Sequence, residues 1–229
     1  KTKFIIINSP SNPTGRIMTK QELLQIAEVV REHPNINILS DEIYELILKK
    51  EFHHFSLASL APDLKERIFI INGFAKGWAM TGWRVGYLVG QKDVIKASSA
   101  LQSQSTSNVC SFVQRGALEA LKINQDFFLK INSNYDLRRE ILYKGLKNIE
   151  GLFVNQPNGA FYAFPRLPNN SISSVDFCKK ILNDYGLVLV PGKPFGDNQS
   201  FRISCATSKE KIIDGLSRLE KGIQSYYFN

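Results

Sequence analysis

Lys76 is the residue of this sequence whose surroundings most favour covalent chemistry. It follows an apolar, β-branched run over residues 67–72, which predicts a buried strand. The other residues from 73 to 80 are uncharged and mostly apolar, so they penalise an ammonium and favour the neutral amine. A neutral amine is a nucleophile towards carbonyl groups. The ordinary alternative is a lysine whose stem lies on apolar surface and whose head is in water.

Two arginines are candidates for binding anions. Arg84 lies eight positions after Lys76, and its planar fork of donors suits a phosphate dianion. Arg202 lies in the otherwise apolar run Phe201-Arg-Ile-Ser-Cys-Ala206. A buried arginine is costly unless an anion pairs with it, so Arg202 predicts either a structural partner such as Asp or Glu, or an anionic ligand.

Asp41 and Asn12 follow predicted strands. Asp41 closes an apolar run over residues 35–41, and open α/β sheets bind ligands at the carboxyl ends of their strands. An aspartate in that position is also a common helix N-cap. Asn12 lies in a Pro- and Gly-rich turn over residues 9–15, which by itself indicates only a loop.

These segments together resemble the class I and II aminotransferases, the pyridoxal-phosphate enzymes of fold type I. The resemblance covers essentially the whole chain, in register, and it includes the loop over residues 191–196. It rests on Lys76 followed by Ala79-Met-Thr-Gly-Trp-Arg84-Val-Gly-Tyr87, and on Asn12-Pro-Thr-Gly15, Asp41-Glu-Ile-Tyr44 and the run around Arg202.

The resemblance implies a role in cofactor binding for five residues: Asn12, Asp41, Tyr44, Lys76 and Arg84. Lys76 would bind the aldehyde of pyridoxal 5'-phosphate covalently, and Arg84 would bind its phosphate. Asp41 would pair with the pyridine nitrogen and keep it protonated, which lets the ring accept electrons. Tyr44 would donate to the phenolic oxygen.

The resemblance also implies how the substrate is held. Asn12 would hydrogen-bond the phenolic oxygen and the substrate carboxylate, and Arg202 would bind the substrate α-carboxylate. The freed amine of Lys76 would then move the proton from the substrate Cα. The Ser/Thr-rich run over residues 102–108 resembles the subgroup of aspartate and prephenate aminotransferases.

Two positions depart from the family pattern. The family usually has a Ser or Thr three residues before the lysine and often another immediately before it, whereas this chain has Gly73 and Ala75. Phosphate binding is therefore expected to depend on Arg84 and on groups outside this segment.

Composition sets broad limits on function. The chain has 229 residues, 43% of them hydrophobic, which suffices for one large or two modest cores. We find no apolar run near the ~20 residues that span a bilayer and no secretory leader. Cys110, Cys178 and Cys205 lie far apart, and we expect buried, reduced thiols in a cytoplasmic protein.

Charge gives little reason to expect a nucleic-acid or membrane partner. The net charge is +8, but the basic residues are scattered and form no run. Some of this charge would serve anionic ligands. His53 and His54 have no Cys or carboxylate cluster beside them in the sequence, so we expect surface residues and no metal site.

The predicted fold class is α/β: part of a large cofactor-binding domain with a mostly parallel sheet, followed by a smaller α+β domain. The proposed division is 1–124, a long interdomain helix over 125–150, and 151–229. Strands are predicted at 2–8, 35–41, 67–72, 84–90, 152–154, 159–164, 187–190 and 201–205. Helices are predicted at 19–33, 91–103, 109–122, 124–149 and 174–185, with a last one from the capping box at Thr207 to Glu210.

The chain begins abruptly at a predicted strand, so we expect an N-terminal part to be missing. The resemblance implies that this part carries further strands, a phosphate-binding helix N-terminus, an aromatic residue that stacks on the pyridine ring and a tyrosine contributed across a homodimer. The 229-residue chain alone is therefore expected to be weak or inactive.

Three functions fit the sequence. The first is an aminotransferase acting on aspartate or a similar amino acid with a 2-oxo acid such as 2-oxoglutarate as acceptor. The second is a β-elimination lyase of the same fold, and the third is a non-catalytic fold type I domain of a transcription regulator. The substrate clamp implied for Arg202, together with Lys76 and Asp41, favours catalysis.

Overall fold

The computed structural model describes residues 1–228 and divides into two compact units. Unit 1 comprises Lys1–Pro10 and Ile17–Leu129, and unit 2 comprises Ser11–Arg16 and the described residues from Lys130 onwards. Both units combine helices with a small sheet, which confirms the predicted α/β class. Among these residues, no helix is both long and apolar enough to cross a membrane.

A four-stranded sheet lies at the centre of unit 1 in the described part of the chain. Its strands are β1 (Phe4–Asn8), β2 (Asn37–Asp41), β3 (Ile68–Gly73) and β4 (Gly86–Val89), in that spatial order. The first three are parallel, and β4 runs antiparallel to β3. The predicted parallel pairing of β1 and β2 across a helix is therefore confirmed.

The register aligns the carboxyl ends of the parallel strands. Asp41 is the register partner of Asn8 on one side and of Ile71 on the other. The segments that follow β2 and β3 therefore leave the sheet at the same edge, which is where open α/β sheets bind their ligands. Tyr44 lies in the first of these segments and Lys76 in the second.

Unit 1 contains four α-helices within residues 1–228. The predicted capping box of α1 is confirmed: Thr19 and Glu22 cap each other's backbone N–H groups. A core of α1, α2 and one sheet face is formed by Ile7, Leu23, Ala27, Val30, Ile38, Leu57, Ala61, Leu64 and Ile68. The helices are α1 (Lys20–Glu32), α2 (Leu57–Leu60), α3 (Lys92–Ser105) and α4 (Ser111–Ala120).

The predicted loop over residues 102–108 is wrong in its first part, because α3 continues through Ser105. The hydroxyls of Ser103 and Ser105 donate to the carbonyls of Ala100 and Gln102. Hydroxyls that bond back to the preceding turn let such polar residues lie in a helix.

The other face of the sheet is apolar and exposed. Phe4, Ile6 and Ile71 are 50%, 71% and 38% exposed, whereas Ile7 on the opposite face of β1 is buried. An uncovered apolar sheet face is uncommon in a complete monomeric domain.

The second unit is built on one long helix and a three-stranded antiparallel sheet, as far as the structure describes it. The sheet has the order β5-β7-β6. The long helix and the helix over 174–185 are confirmed. The elements are α5 (Gln125–Asn148), β5 (Tyr162–Ala163), α6 (Ser174–Tyr185), β6 (Val190–Pro191), β7 (Phe201–Ser204) and α7 (Lys209–Tyr227).

Three local predictions in unit 2 are wrong. The strand expected over 187–190 shares only Val190 with β6. The expected strand over 152–154 is reduced to one bridge between Phe153 and Arg166, because the chain pairs there for a single residue. The N-cap of α7 is Ser208 and not Thr207: the Ser208 side chain accepts from the Lys211 backbone N–H. A cap has to reach the N–H three residues later, and Ser208 does so.

The cysteine prediction is correct for two of the three thiols. Cys178 and Cys205 are free and buried, and burial raises the pKa of Cys178 to about 12 and that of Cys205 to about 11. Cys110 is free but exposed, because it lies at the start of α4 and outside the core.

The cap of α7 gives a prediction about stability. Ser208→Ala should lower the free energy of unfolding by about 1 kcal/mol, since one N-terminal N–H loses its partner. Thr207→Ala is the matched control and should change it by less than about 0.5 kcal/mol. Urea unfolding followed by circular dichroism measures both, and an equal loss in the two variants would contradict the assignment of the cap.

Candidate functional site

The segment that follows β2 presents Asp41 and Tyr44. Asp41 is partly buried, and its Oδ1 accepts from the backbone N–H of Ile43 at 3.2 Å. Burial raises the pKa of Asp41, the Ile43 hydrogen bond opposes this, and the charge of Glu42 adds to it. A carboxylate in these surroundings is stabilised by any cation that comes to it.

Lys76 lies in a turn at the end of β3. The turn is closed by hydrogen bonds from Ala79 N to the Lys76 carbonyl (3.1 Å) and from Met80 N to the Phe74 carbonyl (3.2 Å). The Lys76 Nζ lies 5.9 Å from the centroid of the Tyr44 ring. The structure thus brings together the lysine and the tyrosine that the sequence singled out.

Glycines allow the close approaches that shape this turn. A Cβ on Gly73 would lie 2.7 Å from Cα of Gly86 in β4, and a Cβ on Gly77 would lie 2.9 Å from Cβ of Leu46. Both distances are shorter than side-chain carbons tolerate, so the turn can pack this closely only without those carbons. Apolar contacts hold the rest of the turn, formed by Phe74, Trp78, Met80, Val85, Ala117 and Ala120.

Arg84 lies at an exposed position after a 3-10 turn over Thr81–Trp83. Its backbone is left-handed (φ 53°), and its Nη1 donates to the Thr81 carbonyl at 2.9 Å. It lines a cavity of about 390 Å³ together with the polar residues Thr106 and Ser107. An arginine at the wall of a cavity that also has polar side chains can bind an anion.

In unit 2, Arg202 and Asn12 lie 190 residues apart in sequence and form a direct hydrogen bond. The Arg202 Nη1 donates to the Asn12 Oδ1 at 2.8 Å. The guanidinium carbon lies 4.5 Å from the ring centroid of Tyr162 and 5.5 Å from that of Phe195. Within residues 1–228 we find no ion pair of half-buried Arg202 with Asp or Glu, and its polar partner is the side-chain amide of Asn12.

The turn that carries Asn12 is fixed locally to unit 2. The carbonyl of Gly15 accepts from the backbone N–H groups of Asn158 and Gly159 at 2.9 and 2.8 Å. Gly15 has φ +69°, and a Cβ there would lie 2.6 Å from the Tyr162 carbonyl. Only glycine suits this position, which explains the last residue of the Asn12 motif.

A cluster of one buried and two half-buried polar side chains, Glu42, Glu45 and His54, was not predicted from the sequence. The ligand atoms of Glu42, Glu45 and His54 lie within 4.8 Å of one another. The prediction that His54 is a surface residue without carboxylates beside it is therefore wrong, since its Nε2 lies 3.2 Å from the Glu42 Oε2 and its side chain is 11% exposed. The available signal was two glutamates within an otherwise apolar segment.

Glu42 is a nearly buried carboxylate with three polar partners. Burial alone would raise its pKa, but hydrogen bonds from His54, Ser56 and Ser40 outweigh it, so its pKa is lowered. The two serine hydroxyls donate to Oε1 at 2.9 Å each. Ser56 is the N-cap residue of α2, but its hydroxyl donates to Glu42 and makes no capping hydrogen bond to the helix.

Glu45 has a different environment. Burial raises its pKa, and the hydrogen bond from Asn72 opposes this. The two glutamates on either side of Tyr44 therefore have pKa values shifted in opposite directions.

Comparison with known proteins covers nearly the whole chain. The sequence model described as "Aminotransferase class I and II" matches residues 1–219. The chain belongs to the class I and II aminotransferase family. The resemblance inferred from the Lys76, Asn12, Asp41 and Arg202 motifs is therefore confirmed.

Curated relatives of the chain are named as aspartate or aspartate/prephenate aminotransferases. It is 43% identical over 235 residues to a probable aspartate/prephenate aminotransferase of Rickettsia felis, covering 98% of this chain and 58% of the relative. It is 40% identical over 231 residues to the aspartate aminotransferase of Bacillus subtilis, with coverages of 99% and 58%. The chain therefore spans about 58% of the length of these relatives.

Solved structures agree on the fold. The aspartate aminotransferase from Rhizobium meliloti superposes with a TM-score of 0.92 at 36% identity, covering 97% of this chain and 58% of that one. An aromatic aminotransferase from Pyrococcus horikoshii gives 0.90 at 36% identity, with coverages of 98% and 60%. The fold expected from the resemblance is confirmed.

The two glutamates predict opposite dependences of stability on pH. The lowered pKa of Glu42 means that its ionised form stabilises the fold above about pH 4.5, its usual pKa, and that this is lost as pH falls through the folded value. The raised pKa of Glu45 means that its protonated form fits the fold, and stability is lost as pH rises through the folded value.

Glu42→Gln should therefore lower the free energy of unfolding at pH 7 by about 1–3 kcal/mol, with a smaller loss below pH 4.5. Glu45→Gln should raise it at pH 7 and change it less at low pH. Urea unfolding across this pH range measures both. Glu51→Gln, at an exposed position, is the control and should show neither trend. Parallel curves for the two buried variants would contradict the opposed shifts.

Proposed function

We propose that the protein to which this chain belongs is a pyridoxal-phosphate-dependent aminotransferase. It would move the amino group between aspartate or a similar amino acid and a 2-oxo acid such as 2-oxoglutarate. The observation that carries the proposal is the distance of 5.9 Å between the Lys76 Nζ and the centroid of the Tyr44 ring. Tyr44 lies in the segment after Asp41, and this segment and the Lys76 turn leave the sheet at the same edge. Membership of the aminotransferase family supports this proposal.

The chemistry of the side chains fits pyridoxal phosphate. Asp41 is a partly buried carboxylate whose pKa burial raises, so it suits a protonated ring nitrogen. Tyr44 is a buried phenol beside an amine, and Arg84 offers a guanidinium at the wall of a cavity that also has polar side chains. When bound, pyridoxal phosphate supplies a ring that accepts the electron pair left at the substrate Cα.

Lys76 does the proton transfer in this proposal. Its amine would take the proton from the substrate Cα onto Nζ, which is general base catalysis. Asp41 would favour a positive charge on the ring nitrogen through its own negative charge. Tyr44 would donate a hydrogen bond to the phenolic oxygen and so tune its basicity.

Arg202 and Asn12 bind the substrate in this proposal. A guanidinium binds a carboxylate with two parallel hydrogen bonds, which fixes orientation as well as adding affinity. The hydrogen bond from Arg202 to Asn12 fixes one end of the fork, and the rings of Tyr162 and Phe195 flank it. Arg202 would bind the α-carboxylate, and Asn12 would contact both this group and the phenolic oxygen.

The finer assignments depend on the longer protein. The names of the relatives refer to aspartate and prephenate, which supports a dicarboxylic amino acid as substrate here. We propose a homodimer for the full-length protein and a division into a large domain (1–124), an interdomain helix (125–150) and a small domain (151–229). We also propose that the protein acts in the cytoplasm.

Lys76 gives the central test. Pyridoxal phosphate added to the protein should produce a lysine-bound absorbance band at the edge of the visible range, which aspartate or glutamate then bleaches. Lys76→Ala should abolish the band, because Lys76 supplies the amine that lies beside the Tyr44 ring. The exposed Lys65→Ala variant is the control and should keep it.

The same spectra should be recorded on a chain extended at its N-terminus to the length of the relatives. A band in the longer chain that survives Lys76→Ala would overturn the assignment. Bleaching by amino acids supports transamination, whereas accumulation of ammonia without an amino product would support the lyase.

The two departures from the family pattern give a second test. Ala75→Ser adds one hydroxyl donor at a partly buried turn position and should tighten pyridoxal phosphate binding about three- to tenfold, the value of one hydrogen bond. Ala75→Cys, of similar size but a weak donor, is the control and should give little gain.

Gly73→Ser should fail to tighten binding. Its Cβ would lie 2.7 Å from Cα of Gly86 and 2.9 Å from the Val85 carbonyl, so β3 and β4 would have to separate. Overpacking of this kind costs about 1–3 kcal/mol of stability. Fluorescence titration with the cofactor and urea unfolding measure the two effects, and tighter binding by Gly73→Ser than by Ala75→Ser would contradict this account.

A further inference from the structure

One hydrogen bond joins the two turns that carry the proposed cofactor residues. Asn72, the last residue but one of β3, donates from Nδ2 to the Glu45 Oε1 at 2.6 Å. Asn72 lies four residues before Lys76, and Glu45 is adjacent to Tyr44. The contact thus connects segments 27 residues apart in sequence, at the edge where both functional turns begin.

The orientation of the Asn72 amide is fixed by its second contact. Its Oδ1 accepts from the backbone N–H of Gly73 at 2.7 Å, so its Nδ2 has to point to Glu45. Asn72 is only 4% exposed. A buried amide that loses its acceptor bears the full cost of desolvation, so this contact is expensive to break.

Glu45 is also held from its own side of the contact. Its backbone N–H donates to the Glu42 carbonyl at 2.8 Å, and the Glu42 carboxylate is anchored by Ser40, Ser56 and His54. The next residue, Leu46, packs where a Cβ on Gly77 would be. The turn over residues 42–48 is therefore fixed at one end through Glu42, and it packs against the Lys76 turn at Leu46.

We propose that Glu45 and Asn72 are positioning residues that hold the Lys76 turn against the segment bearing Asp41 and Tyr44. They touch neither substrate nor cofactor and act through the two turns. The proposal rests on the proposed function for the identity of the group that binds Lys76. The coupling of the turns can be tested apart from it.

The proposal depends on the hydrogen bond between positions 72 and 45 having one donor and one acceptor, and not on the charge of Glu45. A glutamine at position 45 keeps an Oε1 acceptor for Asn72, whereas an aspartate at position 72 would put two carboxylates in contact. The other titratable groups near Glu45 are Glu42 and His54 in the cluster and Tyr87 on β4. Glu42 and His54 already form their own pair, and all three remain in every variant below.

The test reverses the hydrogen bond. Asn72→Asp should break the contact, and the double variant Asn72→Asp with Glu45→Gln should restore it. In the double variant the side-chain amide introduced at position 45 can donate to the carboxylate introduced at position 72, which still accepts from the Gly73 N–H. Glu45→Gln alone keeps the original direction. Glu51→Gln is the control for a charge lost from an exposed site in the same part of unit 1.

The first measurement is incorporation of pyridoxal phosphate at Lys76, trapped with borohydride and quantified by peptide mass spectrometry against pH. Asn72→Asp should slow it about tenfold, and the double variant should return to within about threefold of wild type, since one hydrogen bond corresponds to about a tenfold change. Glu45→Gln and Glu51→Gln should stay within about twofold, as expected for a retained acceptor and a remote site.

A merely structural role would lower incorporation only in proportion to the fraction unfolded and would leave the pH profile of the folded protein unchanged. That result, or a tenfold loss in Glu45→Gln, would overturn the proposal. Where Asn72→Asp does not fold, Asn72→Ser replaces it, because it removes the long donor without adding charge.

The second measurement is hydrogen exchange of the backbone amides in residues 43–48 and 73–80, which needs no cofactor. Both segments should lose protection in Asn72→Asp and regain it in the double variant. Unchanged protection would overturn the coupling of the turns. If wild-type Lys76 incorporates no cofactor in the full-length protein while the exchange pattern holds, the proposed function fails and the coupling stands.

Discussion

A carboxylate that is removed from water needs hydrogen-bond donors, and unit 1 provides them for two glutamates within four residues, Glu42 and Glu45. Glu42 finds Ser40, Ser56 and His54, and Glu45 finds Asn72. Each solution ties one end of a strand to a neighbouring segment. Because the two glutamates flank Tyr44, we infer that the contacts of Glu42 and Glu45 help to place the Tyr44 ring relative to the Lys76 turn.

Main-chain packing provides the second half of this arrangement. The Lys76 turn can approach the Tyr44 turn and β4 only because Gly73 and Gly77 carry no side chain. If the glycines were larger residues, the two turns would lie farther apart. If the hydrogen bonds were lost, buried polar groups would remain without partners. The glycines allow the close packing and the hydrogen bonds pair the polar groups, so polar residues can lie next to an apolar turn.

Much of this could be predicted from the sequence, because periodicity and turn chemistry act locally. The strand before Lys76, the capping box of α1 and the helix over 174–185 follow from patterns of fewer than about fifteen residues. The Asn12–Arg202 contact spans 190 residues, and no local pattern contains it. The prediction for His54 is wrong for the same reason, since its partner Glu42 lies in a different segment and becomes visible only when β2 and the loop before α2 are packed together.

Arg202 shows how the two units solve related problems differently. Unit 1 surrounds two glutamates with hydrogen-bond donors, whereas unit 2 surrounds the Arg202 cation with aromatic faces and one amide oxygen. A carboxylate partner would have neutralised Arg202 and used its fork. The rings and the amide stabilise the guanidinium without neutralising its charge, and an arginine with such a charge can bind a carboxylate ligand. An ion pair would have cost the desolvation of both partners, so the rings and the amide hold this half-buried guanidinium without that cost and leave its fork for the substrate carboxylate that we propose.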